Sequence, residues 1–401
     1  MPKRVLIIGI SILAVLVVGV ILYLLLFSPN RPQLAVGDNP FGDILGGNAN
    51  TASDLPGEEP ILQAGEEVAP RLVKVTDGPI TPQTIAIVAP RDVATTTATS
   101  TPDVEIRFIE RASGNVYGYR AHERKLTRLS SRTLPGIQEA SWLSDGSQAF
   151  VRFLAENGDT VETYALPAVG EGGYFLQSNL ADVSTAGTDT LFMLTTSSTG
   201  SIGTLALPNG TNARTLFTSV LSALRVHAST GNLIATTKPS VSLDGYAFSV
   251  NRSSGAFSRI LGPLRGLTAL PSPSGASVLY SAVEQGALRL SVLTVADRGF
   301  VQLPLATLSD KCVWSADATS VYCGVPVALG GSLPDLWYQG ATSFTDRIWQ
   351  IDLETRVASL LIDPLELAGV SIDAVGLSID PSSDILSFTN RTDGSLWVYD
   401  L

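Results

Sequence analysis

Apolar and polar positions alternate through Glu139–Phe153, EASWLSDGSQAFVRF, and the alternation is interrupted at Asp145-Gly146. A period of two marks a strand buried on one face, and an Asp-Gly pair tolerates the positive φ of a tight turn, so this stretch predicts a β-hairpin. Weaker copies follow. Marked by the residue that closes each turn, the set falls at Gly146, Thr188, Gly231, Gly275, Ala318 and Ser382, with four steps of 42 to 44 residues and a fifth of 64. A step near 43 suits a four-stranded propeller blade, and the long step implies about 20 inserted residues.

After each hairpin come a third and a fourth apolar stretch, as in Thr160–Leu166 then Gly173–Gln177, or Ala287–Leu293 then Phe300–Leu303. The last unit supplies Ala374–Ile379, Ile385–Phe388 and Ser395–Tyr399, and then the chain ends one strand short. Near the other end Arg71-Leu-Val-Lys-Val-Thr76 resembles Lys125-Leu-Thr-Arg-Leu-Ser130, the outer strand of the unit before Trp142. Residues 71–76 are therefore expected to complete the last blade as a clasp, which removes the open edge that an unclosed ring would leave. The first blade then starts at Thr84–Val88, carries an insertion at Thr95–Pro102, and continues through Glu105–Ile109 and Asn115–Tyr119. The fold expected is all-β: a seven-bladed β-propeller over residues 71–401 with an N-terminal strand clasp.

Upstream the pattern changes. Val5–Phe27 is an unbroken apolar run; at about 1.5 Å per residue a helix there spans roughly 35 Å, against a bilayer core of ~30 Å. This predicts one transmembrane helix at residues 5–27, an uncleaved anchor; the alternative is a long signal peptide. Lys3 and Arg4 precede it and only Arg31 closely follows, so residues 1–4 are expected in the cytoplasm and the C-terminal domain outside the cell membrane, a single-pass, extracytoplasmic arrangement. Residues 28–70 hold six prolines among Gly, Asn, Asp and Glu with no sustained period, the composition of a disordered, flexible acidic linker.

The formal net charge of −11, from 26 basic and 37 acidic residues, disfavours nucleic acid as a partner, which requires clustered Lys and Arg. Cys312 and Cys323 are the only cysteines and lie equidistant from the turn at Asp317-Ala318. Cross-strand neighbours have Cβ atoms about 4.5–5.5 Å apart, near what a disulfide requires. The pair is either a bridge formed in an oxidising compartment or two buried free thiols. With no His or third Cys nearby, no metal site is expected, and no cofactor motif is present.

The insertion Gly324–Asp346 concentrates Trp337, Tyr338 and Phe344 in a Gly- and Pro-rich stretch, with Asp335 and Asp346 beside them. Aromatic residues on a long loop commonly act as binding anchors. The other reading is that they fold back as a lid over a blade edge or the central channel. Neither Gly-x-Ser-x-Gly nor His-Glu-x-x-His occurs, and His122 and His227 are the only histidines.

The unit at Trp142, Ser144, Asp145 and Gly146 resembles the repeat of TolB-type, WD-like β-propeller proteins, and Trp314-Ser315 with Asp317 matches a second copy. That resemblance covers residues 71–401 and implies propeller geometry; it is silent on the ligand, since such rings serve as scaffolds and as enzymes. The expectation is a membrane-anchored scaffold that binds a protein or envelope polymer through one face of the ring, without an enzymatic role. The alternative is a hydrolase or lyase on glycan or peptide with its site at the channel mouth.

Overall fold

The computed structural model describes residues 71–89 and 103–401. The expected membrane helix at 5–27, the linker at 28–70 and the Thr95–Pro102 insertion lie outside the described residues.

Regular structure is almost entirely strand. In chain order the strands are β1 (Leu72–Lys74), β2 (Ile85–Val88), β3 (Val104–Ile109), β4 (Val116–Arg120), β5 (Lys125–Arg128), β6 (Ile137–Trp142), β7 (Gln148–Leu154), β8 (Val161–Pro167) and β9 (Tyr174–Phe175). They continue as β10 (Leu180–Ala186), β11 (Thr190–Ser197), β12 (Gly200–Ala206), β13 (Arg214–Ser219), β14 (Leu224–His227), β15 (Leu233–Thr237), β16 (Asp244–Val250) and β17 (Phe257–Pro271). The remainder are β18 (Ser277–Glu284), β19 (Ala287–Thr294), β20 (Phe300–Gln302), β21 (Cys312–Trp314), β22 (Ser320–Pro326), β23 (Asp346–Asp352), β24 (Ala358–Ile362), β25 (Ala374–Ile379), β26 (Ile385–Asn390) and β27 (Leu396–Asp400). Two short helices, α1 (Asp335–Tyr338) and α2 (Pro364–Ala368), interrupt this series where the sequence pattern carried no helical period.

Antiparallel pairing gathers the strands into sets of four: β2 to β5, β6 to β9, β10 to β13 and β21 to β24 are each a complete sheet in sequence order. The last sheet runs β1-β27-β26-β25, so the strand that enters first pairs with the strand that ends the chain, Leu72 facing Tyr399 and Lys74 facing Trp397. The exception to four is a seven-stranded sheet from β14 to β20. Its long strand β17 pairs with β16 over Phe257–Arg265 and with β18 over Arg265–Pro271, closing one set of four and opening the next. Gly262 (φ 104°) and Gly266 (φ 62°) take up the bend between the two halves, in conformations that only glycine enters at low cost.

The core is divided among the contacts between neighbouring sheets. Ile109 and Val116 pack with Ile137, Ala149 and Val151; Phe150 and Leu143 with Leu180 and Leu191; Phe192 and Phe217 with Val226 and Leu233. The sequence of clusters continues through Leu261 with Leu267 and Val278, Leu290 with Trp314 and Val321, and Ile348 with Leu386 and Trp397. It returns to its start where Ile385, Leu396 and Val398 pack on Ile106, Phe108 and Ala86. Every sheet thus buries both faces against a neighbour, which explains why the inner and second strands are rich in fully buried Val, Ile, Leu and Ala.

Cys312 and Cys323 face each other across β21 and β22 and form a disulfide, with Cα atoms 4.1 Å apart. Both sulfurs are buried between the β17–β20 set and the β21–β24 set.

Candidate functional site

In each four-strand set the first strand begins, and the second ends, at the same end of the sheet, so the loops there share one rim. The insertion leaves β22 and returns to β23 at that rim. Pro334 stands at the N-cap of α1, and the helix lasts a single turn because Gly340 (φ 75°) follows it. The insertion folds inward. Leu333, Trp337 and Phe344 are buried and pack with Leu288 and Leu308, and Trp337 stacks on Phe344 with ring centroids 6.4 Å apart. A Cβ at Gly266 would come within 3.0 Å of Pro334, so the bend in β17 is also the seat on which the insertion rests.

Polar contacts fix the same segment to two neighbouring sets and to the turn that precedes β21. Asp335, half-buried, accepts from Ser240 Oγ at 3.0 Å and from the Val241 amide at 2.6 Å, both in the loop between β15 and β16. The Tyr338 hydroxyl donates to Asp310, and the Arg225 guanidinium of β14 lies 4.8 Å from the Tyr338 ring and 3.4 Å from the Asp310 carboxylate. Burial first, and then the Asp310 charge, hold the Tyr338 phenol well above its ordinary value. Arg391, from the loop between β26 and β27, donates to the carbonyls of Trp337 at 2.6 Å and Thr342 at 3.2 Å.

Beneath Trp337 lies a charged cluster without solvent contact. Lys311, Asp346 and Asp373 have fully buried side chains. Lys311 Nζ is 2.7 Å from Asp346 Oδ2, donates to the Ala374 carbonyl at 2.9 Å, and also donates to Asp373. Asp373 accepts from Trp337 Nε1 at 3.0 Å and from the Phe344 amide at 3.2 Å. Asp346 accepts from the Ala374 amide at 2.7 Å through Oδ2, whereas its Oδ1 has no partner. Burial raises the Asp346 carboxyl to about 6, with Lys311 opposing the shift.

Of the residues singled out in the sequence, the structure brings Trp337, Phe344 and Asp346 into this buried cluster and sets Asp335 and Tyr338 at its edge, against the β14–β17 set. Lys311, Asp373, Asp310, Arg225 and Arg391, which complete the arrangement, were not singled out. One signal was available: Asp182, Arg225, Thr268 and Lys311 stand 43 residues apart, so the repeat places one polar residue in or just before the inner strand of consecutive units. Asp182 accepts from the Val226 amide at 2.7 Å, and burial raises its carboxyl. His227 is half-buried beside a cavity of about 10 Å³ that Arg225, Thr268, Asp310 and Tyr338 also line. His122 pairs through Nδ1 with Asp103 at 2.9 Å, near a cavity of about 170 Å³ between β1 and β4. Among the described residues no three His, Cys, Asp or Glu side chains are grouped as metal ligands.

Solved structures with a similar fold include the β-propeller domain of the Trilobed protease from Pyrococcus furiosus, a propeller of open velcro topology. It superposes with a TM-score of 0.52 at 8% identity, over 75% of this chain and 91% of that one. The described chain is a β-propeller. Two further similar structures are an oligogalacturonate lyase in complex with manganese (TM-score 0.49, 11% identity, 75% of this chain and 86% of that one) and Kuenenia stuttgartiensis hydrazine synthase (0.47, 13%, 78% and 99%). At these identities the likeness is one of fold. No protein-family model matches the sequence, and no curated protein matches it. The propeller agrees with the TolB-like resemblance of the repeats.

Proposed function

We propose that the chain is a seven-bladed propeller, held outside the cell membrane by its N-terminal anchor and linker, that binds a protein or envelope polymer at the rim carrying the insertion. The blade count follows from dividing the seven-stranded sheet at β17, with β1 as the clasp of the last blade. The observation that carries the binding reading is the distribution of exposed apolar side chains. Val220 before β14, Leu243 between β15 and β16, Val327, Leu329 and Leu336 on the insertion, and Leu365 and Leu367 on α2 all belong to loops of that one rim. Leu243 is 70% exposed and Leu367 62%. Among the described residues the other rim exposes Val169, Leu207 and Val357 on its loops, so the excess, seven against three, lies on the insertion's rim and marks it as the interaction face.

Within this reading Trp337 and Phe344 hold the insertion from below, Asp335, Tyr338 and Asp346 fix its edges, and the leucines present the contact surface. A hydrolase or lyase site at the channel mouth draws less support. Asp310 is engaged by Tyr338 and Arg225, Asp182 by the Val226 amide, and Asp373 by Trp337 and Lys311.

The test compares two charge insertions by crosslinking in intact cells. Leu329→Asp combined with Leu336→Asp is expected to abolish the crosslinked partner, and Phe300→Asp, on the outer strand β20, to preserve it. Equal crosslinking of both folded variants would remove the rim from the interaction.

A further inference from the structure

A fully buried lysine between two fully buried aspartates is an expensive arrangement for a merely structural role, because each ion loses its hydration and the attraction regained in the interior often fails to offset that loss. Here the imbalance is visible in one atom, the unpartnered Oδ1 of Asp346. The cluster is also shaped for chemistry. Lys311 Nζ is 2.7 Å from Asp346 Oδ2 and touches Asp373, and the rings of Trp337 and Phe344, centred 5.1 and 5.3 Å from Nζ, cover it and exclude water. The two carboxyls are not equivalent. Asp373 receives hydrogen bonds from Trp337 Nε1 and the Phe344 amide and has Arg391 3.7 Å away, so its position is fixed on several sides. Asp346 has a single amide donor besides Lys311.

We propose that Lys311 and Asp346 become joined by an intramolecular amide between Nζ and Cγ, with Asp373 accepting the proton that frees the amine. The structure gives the arrangement before the reaction. One ammonium proton passes from Lys311 to Asp373, and the amine attacks Cγ of Asp346 in its acid form. The Nζ–Cγ bond forms, the Cγ–Oδ1 bond breaks, and the departing hydroxyl takes a second Nζ proton and leaves as water. No oxidant, reductant or cofactor enters the balance. The raised Asp346 carboxyl keeps the acid form populated near neutral pH, as the attack requires. Fixing both groups at contact distance in a dry pocket supplies the remaining drive, since intramolecular placement is worth effective concentrations on the order of 10⁵ M and above. The product removes two buried charges and the orphaned oxygen together.

The bond would tie the start of β21 to the start of β23, enclosing the Cys312–Cys323 disulfide and the whole insertion in one covalent loop that reductant does not open. It concerns the integrity of the head and is independent of what the rim binds.

The test is peptide mapping of the full chain, purified, denatured, reduced and digested with trypsin. Lys311 and Asp346 lie between the same two tryptic sites, Arg298 and Arg347, so the expected result is one peptide, Gly299–Arg347, uncleaved after Lys311 and lighter by one water than the linear peptide of that sequence. Asp373→Asn is expected to yield the two linear peptides 299–311 and 312–347, whereas Cys312→Ser with Cys323→Ser retains the single dehydrated peptide. Linear peptides and free cleavage after Lys311 in the unsubstituted chain would overturn the proposal, and this readout does not depend on any variant folding. A branch running from Lys311 to Asp373 would overturn the assignment of the two carboxyls.

Discussion

Arg71 donates through Nε to the carbonyl of Asp400 at 2.9 Å, although 329 residues separate the two along the chain. The Asp400 amide returns a bond to the Arg71 carbonyl at 3.0 Å, and the Arg71 guanidinium lies 4.9 Å from the Tyr399 ring. Ring closure therefore rests on a three-residue strand whose register is fixed at both ends, at Arg71 with Asp400 and at Val75 with Leu396. Without it Val398 and Leu396 would keep their packing on the first sheet but lose the outer half of their ladder.

That closure is sensitive to the backbone at Val73, which faces Val398 midway between the two fixed pairs. In an antiparallel ladder such alternate residues share the inward-bonding geometry, so Val73→Pro removes a donor and leaves an acceptor on β27 unpaired. The expected cost is about 1–3 kcal/mol, read as a lower denaturation midpoint. Val73→Thr, which keeps the amide, should stay near the parent value. Equal midpoints for the proline variant and the parent would show that closure does not depend on this strand.

The disulfide should be a measurable part of stability. It closes a short loop, its two cysteines being 11 residues apart, and a loop of that size constrains the unfolded chain by about 2–3 kcal/mol. Reductant is expected to lower the unfolding free energy of the parent protein by that amount, read as a lower denaturation midpoint. Cys312→Ser combined with Cys323→Ser should start from the lower value and not respond to reductant.

Tyr338 ties stability to alkaline pH. Its phenol is held well above the ordinary value in the folded protein, so the unfolded chain ionises first, near pH 10. The Tyr338 contribution is thus complete below about pH 10 and is lost as pH rises toward the folded value. At neutral pH Tyr338→Phe removes a hydrogen bond to a carboxylate, worth about 1.5–3 kcal/mol. The difference between parent and variant in denaturant unfolding should shrink steadily above pH 10. A difference that stays constant into that range would show that the hydroxyl is not engaged as described. Tyr119, Tyr174, Tyr280 and Tyr322 shift the same way, but they are common to both proteins and cancel in the difference.

What was legible in the sequence was what repeats. A period of two flanking turns such as Asp145-Gly146, reiterated near every 43 residues, follows from the pleat and from the blade, and the homology of Arg71–Thr76 to Lys125–Ser130 followed from the need to close an edge. The continuous strand β17 was not legible, because the bend that divides it depends on Gly262 and Gly266 and not on a break in hydrophobicity. The aromatic insertion stood out, yet its direction did not, since Trp and Tyr suit a buried site and a binding face equally. What decides it is Asp373, 36 residues beyond Trp337, which offers the indole an acceptor below the surface. Lys311 escaped notice for the opposite reason. A lysine at the edge of a short strand ordinarily reaches water, and here two carboxylates that arrive 35 and 62 residues later in the chain enclose it.

The hold of the insertion on the β14–β17 set depends most on Asp335, the only insertion side chain bonded to the loop between β15 and β16 through both a hydroxyl and an amide. Asp335→Ala leaves the buried Trp337–Phe344 stack and the Lys311 cluster untouched, so the sheets should remain folded while the insertion opens more often. Losing both bonds costs about 1–3 kcal/mol of local stability, and each 1.4 kcal/mol is a factor of about ten in an opening equilibrium. Amide hydrogen exchange should therefore quicken about tenfold or more across α1 and Gln339–Phe344, with β22 and β23 unchanged. Acceleration spread equally over β22, β23 and the insertion would mean that Asp335 supports the whole sheet, and unchanged exchange at α1 would mean that the Trp337 cluster alone holds the insertion down.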